Sequence, residues 1–274
     1  MSGLRVFIQG VGLLGPGLAS WAASQRVLTG AEPFVASPSL LPLAARLPPA
    51  ERRRAGAAIR LALAVADEAV AQAGLDPQQL ATVFSSSSGE GMHCHALCET
   101  LATPAPMVSP TRFTNSVHNA AAGCWHIAVA SRAPSTSLCA FDASFAAGLL
   151  DAATMVLHAQ APVLLVCSDS PYPEPLHAAR PLPDHFGVAL VLAPVASASS
   201  LASLVIDVAA PRVANAPTPC DNAALEALRL AIPAATSLPL LQALARGAVA
   251  HGMLFAFPPT AGLAVEIRAL RDAG

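Results

Sequence analysis

The stretch "RAPSTSLCAFDASFAAGLLDAA", Arg132 to Ala153, places a charged side chain where α/β enzymes often hold a nucleophile. Ser135 to Phe141 reads as a strand. Phe145, Leu149 and Ala152 then recur at helical spacing. Asp142 sits in the turn between them. Two roles are open to it. It can cap the helix, its carboxylate accepting free N–H groups in the favourable end of the helix dipole, or it can belong to a binding site. Cys139 lies three residues upstream, inside the expected strand. A reactive thiol wants an exposed, electropositive place, so Cys139 is expected in the core.

Two other stretches carry possible chemistry. "GVGLLGPG", Gly10 to Gly17, fits the G-x-G-x-x-G spacing of a dinucleotide loop. Such a loop must open directly into a helix, with an acidic residue roughly 20 positions later. Pro16 and Gly17 stand where that helix would begin, and Glu32 lies in a Pro-rich loop. The glycines therefore read as a glycine-rich strand end, and no cofactor is expected. "MHCHALC" offers His93, Cys94, His95 and Cys98. His93 and His95 point about 200° apart on a helix, and the two thiols are too few for structural zinc. No metal is expected.

Around these stretches the chain alternates strands and helices. Strands are expected at Leu4–Val11, Leu80–Ser86, Val163–Cys167, Gly187–Leu192, Ala202–Val208, Met253–Phe257 and Leu263–Arg268. Helices are expected at Glu51–Ala73, from the polar turn "SSSSGEG" to about Leu101, and over Asn115–Ser131, Ala223–Ala231 and Leu238–Leu244. Residues 33–50, rich in Pro, Ser and Leu, read as loop. The class is α/β, with no composition break to mark a second domain.

Of 274 residues, 54% are hydrophobic and 12% charged, with a net charge of −2. An ordinary soluble domain carries about 25% charged residues. The deficit suits a membrane protein or a subunit with a large buried interface. The uncharged run Phe186–Ile206 is long enough to span a bilayer, but Pro194 and the serines at 197, 199, 200 and 203 split it into two strands. No membrane span is expected. The N-terminus shows no signal-peptide pattern, so the expected location is the cytoplasm. Arg52-Arg53-Arg54 is the one basic cluster, has no aromatics interleaved, and reads as the solvated start of a helix; no nucleic-acid partner is expected. The six cysteines read as reduced, packed thiols.

From Val108 the chain runs "VSPTRFTNSVHNAAAGCWHIAVASRAPSTSLCAFDASFAAGLLDAA". This resembles, without gaps, the β-ketoacyl synthases of the thiolase superfamily. Ser109-Pro110, Asn119, Ala122-Gly123, Arg132 and Pro134-Ser135 match the segment leading to their catalytic cysteine. "RVFIQGVGLLGPG", "ALAVADEAVAQAGLD" and "SSSSGEG" resemble their first strand, first long helix and next glycine turn. The resemblance covers about residues 4–208. It implies a thiolase-like layered α/β/α fold with a mixed sheet, its C-terminal half largely missing. Residues 1–274 are then one ketosynthase N-terminal-type domain, with 209–274 a reduced remnant.

In that family the nucleophilic cysteine falls eight residues after the proline. Pro134 plus eight is Asp142. A carboxylate there is a poor nucleophile toward a thioester, and an acyl-aspartate would be an anhydride, uphill from the donor. The family's two histidines have no room either. Ala250-His251-Gly252 matches their motif only superficially, lacking the second glycine and the threonines. The resemblance therefore implies a chain length factor: a non-catalytic partner of an active β-ketoacyl synthase that shapes its acyl tunnel. "NSVHNAAAG" and the short length resemble the small factors of aryl polyene pigment pathways. By carry-over, Phe113, Val117, His118, Asn119, Ala122 and Trp125 are the tunnel and interface candidates. An acyl-carrier protein is a further possible partner. The alternative is a thiolase-like acyl-carrier decarboxylase or hydrolase using Asp142 with a histidine such as His118.

Overall fold

The computed structural model describes residues 3–209, 216–247, 251–257 and 261–270. In chain order these form β1 (Leu4–Leu14), α1 (Trp21–Thr29), α2 (Pro49–Arg54), α3 (Ala57–Ala73), β2 (Ala81–Ser85), α4 (Gly91–Leu101), α5 (Pro110–Asn115) and α6 (Ala120–Val129). Then come β3 (Ser135–Leu138), α7 (Ser144–Ala159), β4 (Val163–Asp169), α8 (Leu176–Ala179), β5 (Phe186–Ala193), β6 (Ala202–Ala209), α9 (Ala223–Ala231), α10 (Leu238–Ala245), β7 (His251–Phe257) and β8 (Ala261–Arg268).

The strands make one mixed sheet in the order β3-β2-β4-β5-β1-β6-β8-β7. β2 runs parallel to both β3 and β4, and every other pairing is antiparallel. Both faces are covered, as an almost uninterrupted apolar strand requires. Along β4, Val163, Leu165 and Cys167 join the core under α7, while Leu164 and Val166 join the core under α3 and α6. This is the layered α/β/α arrangement with a mixed sheet that the resemblance implies.

The "GVGLLGPG" stretch finds its explanation here. β1 runs through it to Leu14, and the next helix begins only at Trp21. A Cβ at Gly10 would lie 2.1 Å from the Ala69 carbonyl oxygen, and one at Gly12 would lie 1.9 Å from that of Val65. The glycines let α3 lie directly on β1. Gln72 and Glu68 of that helix then accept the N–H groups of Val11 (2.7 Å) and Leu13 (3.0 Å), beside a register shift in the β1–β5 ladder.

The expected helix at Glu51–Ala73 is two helices. The chain breaks at Ala55-Gly56, where a Cβ on Gly56 would lie 2.4 Å from the Glu90 side chain. Of the expected helix at Asn115–Ser131, only Ala120–Val129 forms, as α6; Asn115 closes the separate short helix α5. The glycine turn resolves as residues 86–90 between β2 and α4. Among the described residues no helix is long and apolar enough to cross a membrane.

Candidate functional site

The parallel strands β2, β3 and β4 end side by side, which is where open α/β sheets place their sites. The turn after β2 is fastened to both neighbours. The Ser86 N–H donates to the Leu138 carbonyl (3.3 Å), and the Ser87 N–H donates to Asp169 Oδ1 at the end of β4 (2.7 Å). Asp169 Oδ2 accepts the Ala234 N–H (2.8 Å), and Ser87 Oγ meets Tyr172 Oη at 2.9 Å. Burial pushes the Asp169 carboxyl above the ordinary aspartate range, against the downward pull of its hydrogen bonds and of Arg180.

After β3 the chain turns sharply. Phe141 takes a left-handed backbone (φ +53°), unusual for a bulky residue. The Ser144 hydroxyl closes the turn, accepting the Ala140 N–H (3.1 Å) and donating to the Phe141 carbonyl (2.7 Å). Asp142 projects from this elbow and caps nothing. α7 starts at Ser144 with no side-chain cap, and the Asp142 carboxylate is ion-paired with Arg180. This corrects the capping role. One 3₁₀ turn, Phe141–Ala143, separates the carboxylate from α7, so its oxygens meet a guanidinium and not free helix N–H groups. Arg180 lies over the Phe141 ring, 3.5 Å from its centroid, and 5.7 Å from that of Tyr172. This cation–π clamp and the ion pair hold one side chain from two sides.

Cys139 is exposed, not in the core as expected, and its thiol donates to the Ser87 carbonyl (3.0 Å). The apolar run that suggested burial belongs to β3, which is an edge strand and ends at Leu138. Cys94 and Cys98 are exposed too; only Cys124, Cys167 and Cys220 are packed as expected.

A cavity of about 380 Å³ opens beside Asp142, lined among others by Arg180, Leu182, Thr218, Ile232 and Phe255. None of its described lining residues is a histidine. His118 lies elsewhere, in a groove of about 420 Å³ between α6 and β3 with Asn119, Ala122, Gly123, His126, Ser135 and Ser137. The pairing of Asp142 with His118 on which the hydrolase alternative leaned is therefore absent from the Asp142 cavity.

The remaining candidates divide by exposure. Phe113, Val117, His118 and Asn119 are exposed on α5 and the turn into α6. Ala122 and Trp125 are buried in the core beneath α3 and α6, Trp125 completely. On α4, His93 pairs with Glu90 (2.6 Å) and His95 with Glu99 (3.3 Å), so the two histidines serve different carboxylates. No group of three or more potential metal ligands converges among the described residues. Ala250 lies outside the described residues, and His251 opens β7.

Arg180, Asp169, Tyr172 and Ser87 complete the elbow, and none was singled out from sequence. Asp169 has a legible signal, a lone acid closing an apolar strand. Arg180 has none, because it reaches Asp142 across 38 residues of chain.

Residues 19–244 match the family model for the β-ketoacyl synthase N-terminal domain. No curated protein matches the sequence at a significant level. Among solved structures, the chain is similar to the ketosynthase ApeO in complex with its chain length factor ApeC from Xenorhabdus doucetiae. That match has a TM-score of 0.69 and 22% identity over 96% of this chain and 99% of that one. It is similar to the ishigamide ketosynthase/chain length factor (TM-score 0.69, 17% identity, 97% and 99% covered). It also matches a structure of AntDE with AntF, a type II polyketide acyl-carrier protein in complex with its ketosynthase (TM-score 0.70, 14% identity, 98% and 100% covered). At these identities the likeness carries the fold.

Proposed function

This chain belongs to the β-ketoacyl synthase N-terminal domain family, and we propose that within it the chain is a non-catalytic chain length factor. It pairs with an active β-ketoacyl synthase and shapes that partner's acyl tunnel. The observation that carries this reading is the elbow. By the resemblance the nucleophile's position falls at Asp142, and its carboxylate is ion-paired with Arg180. An ion-paired carboxylate cannot accept an acyl group from a thioester on favourable terms.

Two surface features support a partner. β3 ends the sheet, and no described strand covers its outer edge; an uncovered edge is a template for another chain. α4, α5, α6 and the turns joining them expose Met92, Leu101, Met107, Phe113, Val117 and Ile127, with Met107 at 89% and Phe113 at 59%. An apolar flank of this kind marks an interaction site. Phe113, Val117, His118 and Asn119 fall in this region and are the residues we assign to the shared tunnel and interface. Ala122 and Trp125 support them from beneath. A thiolase-type ketosynthase is the partner, an acyl-carrier protein is the source of its substrates, and no nucleic acid takes part.

The finer assignment is to polyketide synthesis of the aryl polyene type, resting on the resemblance of "NSVHNAAAG". We read residues 1–274 as one domain, in which 209–274 is a reduced remnant whose last strands extend the sheet through β6. We place it in the cytoplasm with its partner.

Co-expression with the ketosynthase encoded beside it tests the reading. The two chains are expected to co-purify as a heterodimer, and Asp142→Asn is expected to leave product formation intact, with at most a change in chain length. Complete loss of turnover in an assembled Asp142→Asn complex would favour the decarboxylase or hydrolase instead.

A further inference from the structure

The segment 33–47 is an irregular strap with its backbone pinned at several points. The Gly17 N–H donates to the Ser37 carbonyl (2.9 Å). Ser39 N–H donates to Asp184 Oδ2 (3.0 Å), and its hydroxyl donates to the His185 carbonyl (2.9 Å). Arg60 holds the Leu41 and Pro42 carbonyls, the latter at 3.0 Å. Ala44 and Leu47 are buried. Yet Val35, Leu40 and Leu43 stand 70%, 86% and 72% exposed. A strap this well fastened, with three large aliphatic side chains left in water, presents them outward.

Arginines outnumber acids along this stretch, although Asp184 holds the strap at Ser39 and Asp67 and Glu68 follow it in α3. Between residues 33 and 66 there are five arginines, at 46, 52, 53, 54 and 60, against the single acid Glu51, in a chain whose net charge is −2. Arg46 is paired with Asp67, and Arg54 lies 3.6 Å from Glu51. Arg52 and Arg53 have no ion pair among the described residues. Arg60, which is bonded to the strap itself, also lacks an acidic partner among them.

We propose that the strap and α2 form a peripheral attachment surface for an anionic lipid bilayer. Isolated aliphatic side chains on a fastened loop, followed in the chain by Arg52 and Arg53, unpaired among the described residues, suit a bilayer boundary. There the side chains enter the acyl region and the cations meet headgroup phosphates. The strap offers a protein ligand neither a groove between helices nor a free strand edge. A bilayer needs neither. This surface borders the α4–α6 flank, since the Asn115 side chain on α5 donates to the Arg54 carbonyl at the end of α2 (3.3 Å), but the inference does not depend on the chain length factor reading.

Flotation with lipid vesicles tests it, since bound protein rises while aggregated protein sinks. The full chain is used alone and again with any ketosynthase that co-purifies. Binding is expected to vesicles of phosphatidylglycerol and phosphatidylcholine but not to phosphatidylcholine alone. Each arginine near an anionic surface contributes about fivefold in partitioning, so the double change Arg52→Glu, Arg53→Glu should weaken binding by more than tenfold. The pair Leu40→Ser, Leu43→Ser should abolish flotation; these side chains are exposed, so an unchanged thermal midpoint verifies the fold. Three results would overturn the proposal: no flotation with either vesicle, equal flotation with both, or flotation of the chain alone that vanishes in the ketosynthase complex. The last would make the strap a protein interface.

Discussion

The Asp169 carboxyl joins three elements by accepting N–H groups from the turn after β2 and from Ala234. Burial raises its folded pKa above 3.8, the ordinary value for aspartate. An acid whose folded pKa is raised keeps its proton in the native state after the unfolded chain has lost it. Its contribution to stability is therefore greatest below pH 3.8 and falls as pH rises through the folded value. Asp169→Asn should remove this slope. It should also lower the whole stability curve by about 1–3 kcal/mol, because the amide nitrogen cannot accept the second N–H. Urea midpoints measured from pH 4 to pH 8 would show both effects, and an unchanged slope would mean that Asp169 is not the group responsible. The thiols divide just as clearly. Burial pushes Cys124 up to about 11 and Cys220 up to about 12, and raises Cys167 as well. Cys94, Cys98 and Cys139 are exposed. Iodoacetamide at pH 8 should add three groups to the native chain and six to the unfolded one, counted by intact mass.

At the scale of elements, the glycine-rich strand shows how contact between elements can imitate a ligand motif. Gly10 and Gly12 fit a phosphate loop in spacing, but the space they leave is occupied by the α3 backbone. Gly12→Ala should destabilise the chain by about 2–4 kcal/mol, since a Cβ 1.9 Å from the Val65 oxygen forces α3 off the sheet. Gly30→Ala is the control: nothing lies near its Cβ, and its φ of +82° allows only a backbone penalty of about 1 kcal/mol. Denaturant unfolding of both variants measures the difference. The same distinction governs what the sequence makes legible. β5, β6, α9 and α10 lie close to their expected bounds, because periodicity and turn residues are local signals. The break at Gly56 is not local; it answers to Glu90 across 34 positions. The exposure of Cys139 is illegible for a related reason. A short apolar run looks the same at the centre of a sheet and at its edge, and only the strand order tells them apart. In the candidate site, the elbow's position follows from the match to a family segment, while its chemistry turns on Arg180, which no spacing rule reaches.

At the scale of the whole molecule, a chain with only 12% charged residues has too little charge to cover its surface, which must either be covered or self-associate. The described structure locates part of that uncovered surface. One side of the sheet ends at β3, and α5 and α6 expose Phe113 and Ile127. Both side chains are more than half exposed, so replacing them has little effect on the core. In a desolvated interface, however, each new carboxylate would be buried without a partner, a penalty of several kcal/mol per charge. The double change Phe113→Glu, Ile127→Glu should therefore leave the chain's own thermal midpoint within a few degrees of its starting value. It should weaken association with the ketosynthase by at least a hundredfold, read as loss of the co-purified chain and of the heterodimer peak in size-exclusion chromatography. It should also reduce self-association of the chain expressed alone, since the added charge falls on the surface responsible. A heterodimer that survives both substitutions would move the interface off the α4–α6 flank, and with it the tunnel residues assigned to Phe113, Val117, His118 and Asn119.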